Sequence, residues 1–187
     1  LFYKEKEVVN NLKRIGHLEL PEITPILGSK EQYFYRNKME FSFSDSRWLT
    51  PEEIASNKDL GDRNALGFHI PGMWDKILDV KKCWLQGDPS NAVRNTVKDF
   101  AIKNQIPFFN TRQQKGVLRT LMIRNTSIGE LMVVVQFFKE DPKKRTALLE
   151  HLKTSFPEIT SLQYIINGKA NDTIYDQDVV CYHGRDH

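Results

Sequence analysis

The stretch Val117-Leu118-Arg119-Thr120-Leu121-Met122-Ile123-Arg124-Asn125-Thr126-Ser127-Ile128-Gly129-Glu130-Leu131-Met132-Val133-Val134-Val135-Gln136-Phe137-Phe138 decides the fold class. Val117, Arg119, Leu121 and Ile123 alternate with Leu118, Thr120, Met122 and Arg124, the two-residue period of a strand with unlike faces. Leu131 to Phe138 is nearly continuous in large apolar and β-branched residues, and Asn125 to Gly129 reads as the turn of a hairpin. Upstream, Tyr33, Tyr35, Met39, Phe41 and Phe43 alternate with polar residues and predict another two-faced strand. Leu66, Phe68 and Ile70 predict a further strand, and Ile77 to Val80 a short one. Downstream, Ser161 to Asn167 and Thr173 to Tyr182 read the same way.

Helix starts interrupt these strands. Thr50-Pro51-Glu52-Glu53 carries an N-cap, a proline where no amide is needed, and a capping-box glutamate. Asp88-Pro89 and Asp141-Pro142 open two longer helices by the same logic, the second running through Leu148, Leu149 and Leu152. Residues 2 to 15 predict an amphipathic helix with Val8, Val9, Leu12 and Ile15 on one stripe and Gly16 at its stop. The order is irregular, so the expected class is α+β: a mainly antiparallel sheet, two main helices, and the N-terminal helix. Residues 1–30 read as a helix and linker, and 31–187 as the main domain.

Composition bounds the function. The 187 residues are 40% hydrophobic and 27% charged, enough apolar content for a folded core and too much for a disordered tail. Two cysteines make no disulfide scaffold, and no apolar run approaches the ~20 residues a membrane helix needs. Leu1-Phe2-Tyr3-Lys4-Glu5 is not a signal peptide, so a cytoplasmic protein with Cys83 and Cys181 as free thiols is expected. The opening on Leu rather than Met suggests a piece of a longer chain. A net charge of +3 permits a nucleic-acid partner without demanding one.

No Gly-x-Gly-x-x-Gly, phosphate-cradling loop or Gly-x-Ser-x-Gly is present, and a Rossmann-like half would need parallel strands that the pattern does not offer. Neither the two cysteines nor the five histidines have metal-ligand spacing. What remains is basic. From Thr111 to Gly129 the chain carries Arg112, Lys115, Arg119 and Arg124 with no carboxylate, interleaved with amides including Asn125. Such residues suit phosphates and base edges, though arginines covering a solvated strand pair would look the same. Arg36, Asn37 and Lys38 beside tyrosines could form a platform for single-stranded RNA, or simply the outer face of a strand. His69, next to Phe68, reads either as a base contact or as an ordinary strand residue.

Together these pieces resemble a known family. Tyr35-Arg36-Asn37-Lys38-Met39-Glu40-Phe41, Leu66-Gly67-Phe68-His69, Val80-Lys81-Lys82-Cys83-Trp84-Leu85, Gly129-Glu130-Leu131-Met132-Val133 and Tyr182-His183-Gly184-Arg185-Asp186-His187 follow in the order of the middle region of RNA uracil-5-methyltransferases. The resemblance implies a fragment of an S-adenosylmethionine-dependent enzyme of the ribosomal-RNA type, supplying RNA-binding surface while the catalytic domain lies elsewhere. There a cysteine adds to C6 of a flipped-out uracil, C5 takes the methyl group, and a carboxylate removes the C5 proton. No catalytic residue is carried onto this chain, which alone is expected to be inactive. Arg36, Asn37, Lys38, His69, Arg112, Lys115, Arg119, Arg124 and Asn125 become the RNA-binding candidates. Cys83 matches the fourth ligand of the iron–sulfur cluster held by ribosomal-RNA members, so an orphan ligand with no cluster bound is expected. The helix at 2 to 15 would lean on the catalytic domain or self-associate. The rival readings are a non-catalytic RNA- or ribosome-binding adaptor and a plain protein-interaction domain.

Overall fold

The computed structural model describes residues 1–56 and 59–186, in two compact units, Leu1–Tyr33 and Phe34–His187. The first unit holds the helix α1 (Phe2–Asn10), which widens into a π-helical turn over Asn11–Ile15. Gly16 ends it as the sequence suggests, but most of its apolar stripe lies in water: Val8, Leu12 and Ile15 are exposed and Val9 is half-buried.

The second unit is built on seven strands: β1 (Lys38–Ser44), β2 (Ala65–Ile70), β3 (Met73–Asp79), β4 (Leu118–Asn125), β5 (Leu131–Phe137), β6 (Ile159–Ile166) and β7 (Val179–Gly184). Its helices are α2 (Pro51–Ala55), α3 (Ser90–Lys103) and α4 (Pro142–Ser155). The strands lie in the order β3-β2-β1-β4-β5-β6-β7. Among the described residues five of the six strand pairs are antiparallel. The α+β architecture follows from the alternation: β1 buries Met39, Phe41 and Phe43 and turns Lys38, Glu40 and Ser42 the other way.

One side of the sheet is the core face. Met39, Phe41, Leu121, Ile123, Val133, Val135 and Leu162 pack there in one cluster with Val93, Val97 and Ala101 of α3 and Leu148, Leu149 and Leu152 of α4. At roughly 1.5–3 kcal/mol for each such side chain removed from water, this layer dominates the stability. Both long helices of this unit, α3 and α4, contribute to that cluster, which leaves the central part of the other face for function.

Four expectations are corrected. β5 and β6 are parallel, although the pattern offered no parallel pair. The reason is α4: a helix joining neighbouring strands returns the chain to the end where it began. Its start is as read, with Asp141 Oδ1 accepting from the Lys144 amide at 3.1 Å. α3, in contrast, begins at Ser90 with Pro89 in the capping position and no side-chain cap, and the Ser90 hydroxyl donates instead to Gln86 Oε1 at 2.5 Å. The strand expected from Tyr33 begins only at Lys38. Ahead of it, the Phe34 and Arg36 amides donate to the Trp84 and Leu85 carbonyls, so this stretch pairs with the 84–85 loop and leaves Tyr35 exposed. Finally, the last strand is confined to Val179–Gly184, and residues 168–178 form a loop over the face opposite the core.

Candidate nucleic-acid interface

The β1–β4 register sets the site. Lys38 stands opposite Arg124, Glu40 opposite Met122, and Ser42 opposite Thr120. Pairing with β5 extends the rows, matching Arg124 to Met132, Met122 to Val134 and Thr120 to Gln136. This face therefore has two cations at one end, the Glu40 carboxylate beside Met122 and Val134 in the middle, and hydroxyl and amide groups beyond. A groove of about 350 Å³ runs over these residues, with Ile165 in its floor and Asp172 to Tyr175 as a wall.

Like charges directly opposite on neighbouring strands destabilise a sheet. Lys38 is partly offset by Glu40, 2.8 Å away, whereas Arg124 has only Lys38 and Met132 as cross-strand partners. An anion in the groove would relieve the repulsion. Thr120 Oγ1 donates to Gln136 Oε1 at 2.5 Å, which fixes the orientation of that amide over the floor.

Arg119, expected to face RNA, is spent inside the fold. The register shifts between Leu118 and Thr120, and the irregularity takes Arg119 out of the alternation. It is only 4% exposed. Its Nη1 donates to the carbonyls of Asn167 at 2.9 Å and Lys169 at 2.7 Å, and Nη2 to that of Ala170 at 3.4 Å. The Phe109 and Phe138 rings flank it at 4.9 and 5.6 Å. Burial pushes the guanidinium down from its ordinary value, though an arginine remains charged at any relevant pH. Arg119 thus anchors the 168–175 loop and with it the groove wall. Asn125 is likewise engaged, accepting from Gln86 Nε2 at 3.0 Å.

The other candidates are exposed but not gathered at one point. Arg36 and Asn37 lead into β1, and the Asn37 carbonyl accepts from the Asn125 amide at 3.0 Å. Lys115 sits in a turn closed by backbone bonds between Asn110 and Lys115. His69 borders a second hollow that shares Thr120 and Asp172 with the groove, and a third around the β2–β3 turn. Near that turn Arg112 Nε donates to Asp75 Oδ2, and its guanidinium lies 5.6 Å from the Trp74 ring centre. Asp75 is held below the usual carboxylate range, first by this bond. Trp74 escaped the sequence reading because alternation alone does not say which strand lies at a sheet edge.

Cys83 is buried, and its backbone is bracketed by one side chain. Its amide donates to Asn91 Oδ1 at 2.7 Å and its carbonyl accepts from Asn91 Nδ2 at 3.1 Å. Arg94, also missed in the sequence, is buried beside them and donates to Asn91 Oδ1 at 3.0 Å and to the Lys81 carbonyl at 2.7 Å. Among the described residues no three His, Cys, Asp or Glu side chains could hold a metal ion together. A single thiol set among apolar side chains does not fit a cluster that needs four ligands. Iron and sulfide analysis of the purified chain should accordingly find neither in stoichiometric amount, and a full complement would overturn that reading.

Fold and face together define an open sheet with a cationic groove on one side. The chain is 52% identical over 99% of its length to an uncharacterized RNA methyltransferase of Bacteroides thetaiotaomicron. It is 50% identical over 98% of its length to one of Porphyromonas gingivalis, and it spans 41% of each relative. Over nearly its whole length it is therefore homologous to part of proteins named RNA methyltransferases, as the sequence motifs indicate. Among solved structures, the tRNA (uracil-54, C5)-methyltransferase of Pyrococcus abyssi, determined with S-adenosyl-L-homocysteine, matches 98% of this chain and 38% of its own at a TM-score of 0.61. At 21% identity that match speaks to the fold alone. No protein-family profile matches the chain.

Proposed function

We propose that this chain is the RNA-holding segment of an S-adenosylmethionine-dependent enzyme that methylates C5 of a uridine in ribosomal RNA. The methyl transfer belongs to residues outside these 187. The observation that carries the reading is the Lys38–Arg124 pair facing each other at the end of a groove with an apolar floor. The two cations suit phosphates, which fix position. Met122, half-buried above the buried Val134 and Ile165, offers a surface for a base, and the Thr120 hydroxyl, whose proton goes to Gln136, can still accept a hydrogen bond from its edge. Arg36 extends the cationic approach on the β1 side, with the Asn37 amide beside it. Holding the neighbouring nucleotides in this way would let the catalytic part extrude its target base, at an unstacking cost of a few kcal/mol. The relatives' names support RNA as the partner, and Cys83, matching the ribosomal-type ligand, supports the choice of RNA. The exposed Val8, Leu12 and Ile15 of the N-terminal unit support a docking role for that helix, against the catalytic part or a second copy.

Lys38→Ala and Arg124→Ala test the groove. Fluorescence anisotropy with a labelled oligouridine at several salt concentrations should give weaker binding for each variant. The slope of log K against log salt should flatten by about 0.7 for each phosphate that is no longer neutralised. Both side chains are exposed, so melting temperatures should hardly move. Unchanged affinity and slope in both variants would sink the assignment.

A further inference from the structure

Resting on that reading, we infer that the β2–β3 hairpin carries a second RNA contact, a stacking platform made by Trp74 and Arg112 for an unpaired base beyond those in the groove. The turn is set by Pro71 and by Gly72 at φ 76°, with Ile70 and Met73 closing it as a pair. That puts Trp74 on an edge strand of the sheet with 61% of its surface exposed. The indole is thus open to a partner, and what stands around it says which.

The local chemistry selects the partner. Asp75, only 9% exposed, takes the Nε–H of Arg112, and Lys76 Nζ lies 3.7 Å from the same carboxylate oxygen. Arg112 is thereby held beside the Trp74 ring with its side chain still 67% exposed. Arg112 covers one face of the ring, so the other face beside a guanidinium tied to Asp75 matches one nucleotide, with the base against the ring and the phosphate against the cation. The ion pair orders Arg112 before the ligand arrives, which lowers the entropy cost of binding.

Position supports the same occupant. The hollow at the hairpin shares His69 with its neighbour, and that neighbour shares Thr120 and Asp172 with the groove between Lys38 and Tyr175. Three strand spacings separate β4 from β3, about 14 Å at ~4.8 Å each, a reach of a few nucleotides. A single strand lying across the sheet would meet Arg124 and Lys38 first and Trp74 last. A duplex offers no unstacked base to the ring and is excluded from this role.

The test uses the whole chain with a labelled oligouridine and, separately, a blunt RNA duplex. Trp74→Ala should weaken oligouridine binding between about fivefold and a hundredfold with an unchanged salt slope, because a stacking contact releases no counterion. Trp74→Phe should keep most of the affinity, while Arg112→Ala should flatten the slope by about 0.7. Duplex binding should be indifferent to Trp74→Ala. Independently, 5-bromouridine in the oligomer should photocrosslink to Trp74 of the unsubstituted chain. Unchanged affinity in Trp74→Ala, or crosslinks only at other residues, would overturn the platform. If the Lys38 and Arg124 variants still lose affinity, the groove reading survives that failure. Conversely, a Trp74 effect without theirs would sink the groove and leave the hairpin as the contact. An unsubstituted chain that binds no RNA would remove both.

Discussion

Arg119→Ala should unfold about 10 °C below the unsubstituted chain. The side chain supplies three hydrogen bonds to the carbonyls of Asn167, Lys169 and Ala170, and Asn167 itself is fully buried. A bond to a charged donor contributes about 1.5–3 kcal/mol, but the freed loop can turn its carbonyls to water, so a net loss of roughly 3 kcal/mol is expected. For a domain of this size each kcal/mol corresponds to about 2–4 °C. Arg119→Lys should fall between the two, since an ammonium cannot reproduce the fork that reaches three acceptors. The groove wall at Asp172 to Tyr175 should loosen as well, weakening RNA binding without changing its salt slope. A flattened slope with unchanged melting would mean that Arg119 touches phosphate after all.

Gly67→Ala should cost at least as much. A β-carbon at Gly67 would lie 1.9 Å from the Leu78 carbonyl oxygen and 2.9 Å from Val80 Cγ2. Neither neighbour can yield cheaply, because Leu78 is backbone in the adjacent strand, where Gly67 pairs with Asp79. Relief requires β3 to move away from β2, so a loss of about 3 kcal/mol is expected, read as an earlier urea midpoint. Gly87→Ala is the control. The nearest atom to its added β-carbon is Phe34 Cβ at 3.9 Å, an ordinary contact, and its midpoint should shift little. If the two variants unfold alike, close strand approach is not what Gly67 provides.

Much of the fold was legible because local rules were obeyed. The hairpin from Leu118 to Phe137 follows the two-residue period, and α2 has the capping box its sequence announces: Thr50 Oγ1 accepts from the Glu53 amide at 3.2 Å, and Glu53 Oε2 accepts from the Thr50 amide at 2.9 Å. The parts that were not legible depend on distant partners. Tyr35 alternates like a strand residue, yet its stretch pairs with the 84–85 loop, which nothing nearby in the sequence indicates. Arg119 reads like Arg124 by residue type, and only the irregularity beside Leu118 separates a buried anchor from an exposed cation. Lys38 and Arg124 were both singled out as basic residues, but that they face one another follows only from the β1–β4 register. Trp74 needed the strand order itself, which makes β3 an edge.

That order has a consequence for how the molecule is assembled. β1, β2 and β3 pair with near neighbours in the chain, and so do β4 to β7, whereas Lys38 to Ser42 must wait for Thr120 to Arg124. The sheet is thus two locally wound halves joined along one late seam, and closing such a long loop is slow compared with forming either half. During synthesis β1 stands as an open edge until β4 emerges, a state in which the nascent chain is exposed to mispairing. The two groove cations lie on the seam itself. A half-assembled chain therefore has no groove, and on the proposed reading RNA binding would come only with that long-range pairing.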